Sequence, residues 1–167
     1  MTFESNEDLR RLQDLLDRSM AGAGSHLRSI YDHAKPVTAE DLVAELPGMQ
    51  VLDLATVTAR GEPRVSPVDA HFLWGRWLFG TAPNAARAVH LAARPAVSAA
   101  HTRGEGFCVI THGHVERLDL ASERGREVLA YLRSVYPTFD DFASDDNPYW
   151  FIEPTHMFAR GDMVLDA

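Results

Sequence analysis

At residue 49 the hydrophobic period of the chain changes, and that change limits the possible folds more than any other feature. Before it, Leu9, Leu12, Leu15 and Leu16 recur at helical spacing. After it, runs of Val, Leu, Thr and Phe alternate with clusters of Gly, Pro and charged residues, as strands joined by tight turns do. The predicted strands are residues 49–58, 64–74, 77–81, 96–101, 107–118 and 149–159. Trp74-Gly75-Arg76-Trp77 reads as a tight hairpin with its aromatic residues facing each other. Helices are expected at 5–20 (capped by Ser5), at 38–46 (Thr38 and Asp41 at capping-box spacing), from the cap Asn84 to about Arg94, and at 122–136. The acidic stretch 140–147 reads as a loop. Strands in hairpin order with two interrupting helices imply an antiparallel sheet. Six of them in 167 residues would close into a barrel, which removes exposed edges. The expected fold class is therefore mainly β, a six-stranded antiparallel barrel with peripheral helices. A helical extension would span residues 1–40 and the barrel domain residues 41–167.

Composition excludes several functions. A formal net charge of −8 argues against a nucleic-acid binder, because a protein that tracks phosphates needs a basic face. The single cysteine, Cys108, cannot form an intramolecular disulfide and fits a reducing compartment. Met1 to Arg11 is acidic and polar, unlike a signal peptide, and no apolar run approaches the roughly 20 residues of a membrane helix. The expectation is a cytoplasmic protein without membrane contact.

Few residues suggest chemistry of their own. His112 and His114 alternate on one strand face, but nothing in the spacing ties His101 or His156 to them as further metal ligands, so no metal is expected. Cys108 sits in an apolar strand with no helix start or basic neighbour to lower its pKa, and reads as a space-filling thiol. Ser25 and Ser66 lack a nucleophile elbow. The stretch Phe79-Gly80-Thr81-Ala82-Pro83-Asn84-Ala85-Ala86-Arg87 is more informative. A strand ends in small residues, a helix begins, and Arg87 follows in its first turn. Free backbone N–H groups, the helix dipole, Thr81, Asn84 and one guanidinium together would hold an anion such as phosphate. The same residues also describe a plain capped turn with a surface arginine.

The order of the pieces carries more than any one of them. Leu54-Ala55-Thr56-Val57-Thr58 and Arg64-Val65-Ser66-Pro67-Val68 lead into Trp74-Gly75-Arg76-Trp77-Leu78-Phe79-Gly80-Thr81, then Arg87, then Arg94-Pro95-Ala96-Val97-Ser98. Gly113-His114-Val115-Glu116, a helix, and Ile152-Glu153-Pro154-Thr155-His156-Met157-Phe158 follow. Over about residues 42–160 this set resembles the pyridoxamine 5′-phosphate oxidase-like split-barrel family of flavin-binding proteins. The resemblance implies a six-stranded split barrel and a homodimer with two cofactor sites, each built from both subunits. It implies FMN, or alternatively the deazaflavin factor 420, as cofactor for hydride transfer to or from a small organic substrate. By position, Arg64, Val65, Ser66, Pro67 and Val68 would run beside the isoalloxazine and ribityl chain. Gly80 and Thr81 would reach the phosphate, with Asn84 at the helix start, and Arg87 would pair with it. Trp150 and Arg160 would come from the partner subunit, and His71, Trp74 and His101 would lie on the substrate side. The aromatic residues Phe72, Trp74 and Trp150 are expected to exceed what one small barrel can bury, another reason to expect a dimer. Departures from the family pattern argue against genuine pyridoxamine phosphate oxidation. Ala85 and Ala86 replace a serine and a basic residue, Asp69 replaces a lysine, and the C-terminal arginine and histidine that grip pyridoxal have no match at 157–161. A non-catalytic flavin- or ligand-binding barrel is the alternative.

Overall fold

Turn chemistry and side-chain alternation between them set the strand order. In the computed structural model, which describes residues 3–31, 36–142 and 147–161, the strands are β1 (Met49–Val57), β2 (Pro63–Leu73), β3 (Arg76–Gly80), β4 (Ala96–Arg103), β5 (Phe107–Arg117) and β6 (Tyr149–Gly161). All neighbours are antiparallel, and the order around the closed barrel is β1-β2-β3-β6-β5-β4. Closure comes from short pairings, Asp53–Ala55 of β1 with Ser98–Ala100 of β4 and Leu78–Gly80 of β3 with Tyr149–Phe151 of β6. The expected mainly β barrel with outer helices is what the chain forms.

The tight hairpin departs from expectation. Trp74 and Gly75 both have positive φ, 52° and 70°, and together make the two-residue turn. Trp74 therefore does not face Trp77. Phe72 does, with ring centroids 5.0 Å apart. A tryptophan in the left-handed region is costly, and its ring is engaged accordingly: the Arg124 guanidinium lies 3.9 Å from its centroid, with Phe3 and Phe151 edge-on.

The helices are α1 (Asn6–Gly22), α2 (Ser25–Tyr31), α3 (Ala39–Glu45), α4 (Ala86–Ala93), α5 (Glu123–Val135) and α6 (Phe139–Phe142). Ser5 with Asp8, and Thr38 with Asp41, form capping boxes at α1 and α3, and Ser122 caps α5. The sequence did not reveal α2 because it buries no residue and so carries no apolar stripe. Part of the expected acidic loop is α6, beginning at buried Phe139; residues 143–146 of that loop lie outside the described residues.

Alternation divides the apolar side chains into two cores. Leu52, Leu54, Val68, Phe72, Trp77 and Ile152 fill the barrel, and Leu12, Leu15 and Leu16 of α1 join the same cluster. The barrel therefore uses the N-terminal leucine stripe as part of its own core. A bulge between His112 and Gly113 shifts the β5–β6 register, and near it the Met157 N–H donates to Ser19 Oγ of α1 at 2.9 Å. The second core lies outside the barrel, where Leu73, Leu78 and Phe151 meet Val128 and Leu132 of α5. Phe72, Trp74 and Trp150 are all buried within this one chain, so the expectation that they exceed its capacity is corrected. Among the described residues, the large apolar side chains left exposed are instead Met49, Val51, Val65, Val89 and Ile30. No helix among the described residues is long and apolar enough to cross a membrane.

Candidate functional site

The first half of β2 leaves a stretch of sheet open. β3 pairs with β2 only from Ala70 to Leu73, so Pro63–Asp69 of β2 bonds to β1 alone. Arg64, Val65 and Pro67 are exposed there, Val65 at 67%, while Ser66 is half-buried and Val68 points into the core. Arg87 reaches this edge from α4, donating from its guanidinium to the Pro67 carbonyl at 2.9 Å. The strand segment and the arginine, brought together in the fold, are thus candidate residues from two distant parts of the sequence.

The start of α4 differs from the expected cap. Ala85, not Asn84, is the N-cap, and no side chain closes the helix end; Asn84 is exposed. The Ala88 N–H already donates to the Ala85 carbonyl at 2.9 Å, which leaves the N–H groups of Ala86 and Arg87 without an intrahelical acceptor. An uncapped N-terminus beside a guanidinium with N–H groups to spare suits an anion. Arg87 also spends one donor on Pro67, which fixes the side chain across the gap between α4 and β2.

Gly80 and Thr81 face a different space. They border a cavity of about 230 Å³ whose lining includes Asp69, His71, Tyr136, Phe139 and Tyr149. Gly80 is required by close approach: a Cβ there would stand 2.6 Å from Tyr149 Cε1, so only glycine lets that ring lie against the strand. His71, 3% exposed, is the polar centre of this wall. Its Nδ1 lies 2.9 Å from the Tyr131 hydroxyl and its Nε2 3.1 Å from the Tyr136 hydroxyl. Burial drives the His71 pKa down to about 4, against the opposing pull of the Gly48 carbonyl and the Asp69 carboxylate, so the ring is neutral at pH 7. Burial likewise pushes the Tyr136 hydroxyl up to about 12, with Asp69, Tyr131 and Tyr149 adding to it. A neutral hydrogen-bonded Tyr–His–Tyr row thus joins β2 to α5.

The other candidates are dispersed. Trp74 is in the hairpin turn, away from this cavity, and lines a separate groove with Arg124 and α1. His101 points into the barrel: it is buried, its Nδ1 lies 2.8 Å from the Val51 carbonyl, and its Nε2 has no partner among the described residues. Trp150 belongs to the barrel core, stacked on Phe79 at 5.7 Å. Arg160 is at the far end of β6, paired in register with Cys108. Burial pushes the Cys108 thiol pKa up and the Arg160 charge only partly opposes this, as befits an unreactive thiol. His112 bonds to Ser98 at 2.8 Å, and among the described residues no group of three or more His, Cys, Asp or Glu converges as a metal site.

Reading the sequence missed Tyr131, Tyr149 and the inward role of His71. The signal available was a histidine among apolar residues in a strand, together with two tyrosines on and just beyond the helix that later covers that strand.

No family model and no curated protein matches this sequence. Solved structures do share the fold. The heme storage protein HutZ from Vibrio cholerae is 21% identical with a TM-score of 0.59, over 67% of this chain and 87% of that one. An FAD-binding protein from Mesorhizobium loti is 19% identical with a TM-score of 0.54, over 66% of this chain and 85% of that one. A NimC/NimA family protein from Clostridium acetobutylicum is 18% identical with a TM-score of 0.53, over 77% and 88%. At these identities the likeness establishes the split-barrel architecture.

Proposed function

We propose that this protein is a flavin-dependent oxidoreductase that works as a homodimer, holding FMN or a related deazaflavin on the open edge of β2. The observation that carries this reading is the Arg87–Pro67 bridge, which sets a cation and an uncapped helix start beside an exposed, partly apolar strand. The residues fit a phosphorylated planar cofactor there. Arg87 and the first N–H groups of α4 would take the phosphate, and the exposed Val65 and the Arg64–Val68 backbone would lie along the ring system. The cavity beyond Gly80 does not fit the phosphate, since Asp69 lines it and none of its described lining residues is Lys or Arg.

When bound, such a cofactor supplies hydride transfer. The protein's part is position and electrostatics, which is consistent with the absence of an evident acid–base pair in the sequence. With a cofactor bound, Val65 would shield the ring from water on one side and Arg87 would hold the phosphate end. The dimer reading rests on Val51 and Val65, whose side chains share the outer face of β1 and β2 at 52% and 67% exposure; burying them against a second copy would cover the cofactor. The fold of an FAD-binding protein and of a heme storage protein is compatible with this reading. The storage neighbour also supports a second one, binding without catalysis. The test is an absorbance spectrum of purified protein, mass identification of whatever denaturation releases, and light scattering. A flavin or deazaflavin band on a dimer supports the proposal, and turnover of quinone or enone acceptors after anaerobic reduction separates enzyme from carrier. A colourless monomer that takes up neither cofactor refutes it.

A further inference from the structure

The cavity beyond Gly80 has a chemistry of its own. Its walls are aromatic, with Tyr136, Tyr149 and Phe139 contributing rings. Asp69 lines it, and that carboxylate makes no hydrogen bond or ion pair among the described residues. His71 at its inner wall is neutral, and Tyr136 is a neutral phenol. The guanidinium of Arg133 stands 5.9 Å from the Phe139 ring centroid but is committed to Asp140, at 3.0 Å. A carboxylate or phosphate entering this space would meet Asp69 and find no counter-charge. An ammonium would meet the Asp69 carboxylate and electron-rich ring faces, the set that favours organic cations. The volume, about 230 Å³, suits one substituted ring or a branched alkyl group and is too small for a flavin.

We propose that this cavity binds a small organic cation, an arylalkylamine or alkylammonium, with Asp69 as its counter-ion and Tyr136, Tyr149 and Phe139 as its walls. The site opens beside Gly80 and Thr81, next to the β2 edge assigned to the cofactor, and so would serve as a substrate pocket for an amine. The binding itself does not depend on any cofactor, so it can stand or fall independently of the flavin reading.

The experiment is a titration of the purified full-length protein with benzylamine, phenyltrimethylammonium and benzoate, followed by the side-chain resonances of His71, Tyr136 and Tyr149. Physiological salt suppresses general attraction of cations to an acidic protein. Both cations should bind roughly tenfold or more tightly than benzoate and shift those three residues first. Asp69→Asn, at an exposed position, should lower cation affinity by about tenfold, and Asp69→Lys should reverse the preference toward benzoate. Equal binding of amine and benzoate, shifts confined to other residues, no binding of either cation, or an Asp69→Asn variant that binds amines like wild type would each overturn the proposal. If the protein proves to hold no flavin yet passes this titration, the cofactor reading fails and the amine pocket stands.

Discussion

Acidification from pH 6.5 to 4 should destabilise this protein chiefly through His71. Burial holds its pKa at about 4, against an ordinary value of 6.5, because a charged imidazole under α5 would lose its hydration. The unfolded chain therefore binds a proton between pH 6.5 and 4 that the folded chain refuses. The contribution is fully present above 6.5, falls as pH drops through that window, and levels off below the folded value. At about 1.4 kcal/mol per unit, the loss is about 3 kcal/mol across the window, a large share of the typical stability of a domain. Urea unfolding at a series of pH values reads it directly, with the midpoint falling steadily from pH 6.5 to 4. His71→Asn keeps a polar side chain near the tyrosine hydroxyls but removes the titration, so the variant should be less stable at neutral pH and lose less on acidification. Parallel curves for wild type and His71→Asn would show that the imidazole is not the group being protonated, and the account of the Tyr–His–Tyr row would be wrong.

Two further substitutions probe the barrel. Thr111→Val strips the buried Trp77 indole N–H of its acceptor, 3.2 Å away, and should cost about 1–3 kcal/mol in chemical unfolding, where an unchanged midpoint would mean that water or a shifted ring replaces the hydroxyl. Gly113→Ala would drive a Cβ to 2.1 Å from the Glu153 carbonyl oxygen at the β5–β6 bulge; backbone cannot yield as a side chain can, so a loss of about 1–3 kcal/mol or more is expected in thermal melting, and a wild-type melting temperature would contradict the packing described.

How much of this was legible beforehand depended on whether a residue's role is local. Capping boxes at Ser5 and Thr38 and the six strands could be read because each is set by neighbours a few positions away. Gly75 marks where the chain reverses but not which residue beside it accepts a positive φ, so the place of Trp74 in the turn is not legible in the sequence. Residue type favours Asn84 as a cap, but the helix starts one residue later and Ala85 takes the position. The bond from Arg87 to Pro67 and the row from Tyr131 through His71 to Tyr136 join residues far apart in sequence. Such pairings depend on strand order and on which face α5 covers, and no local pattern encodes either. Asp69 stood out only as a departure from a family pattern; its uncommitted carboxylate became meaningful once aromatic walls surrounded it.

In the proposed site Arg87 and the start of α4 grip a phosphate beside β2. Comparing FMN with riboflavin, which lacks the phosphate, in wild type and Arg87→Ala at matched salt tests it most directly. One charge-assisted hydrogen bond to phosphate contributes on the order of 1.5–3 kcal/mol, so the variant should bind FMN roughly ten- to a hundredfold more weakly and riboflavin almost unchanged. Equal losses for both ligands would mean that the Arg87–Pro67 bond supports the fold instead, and an unchanged FMN affinity would place the phosphate elsewhere.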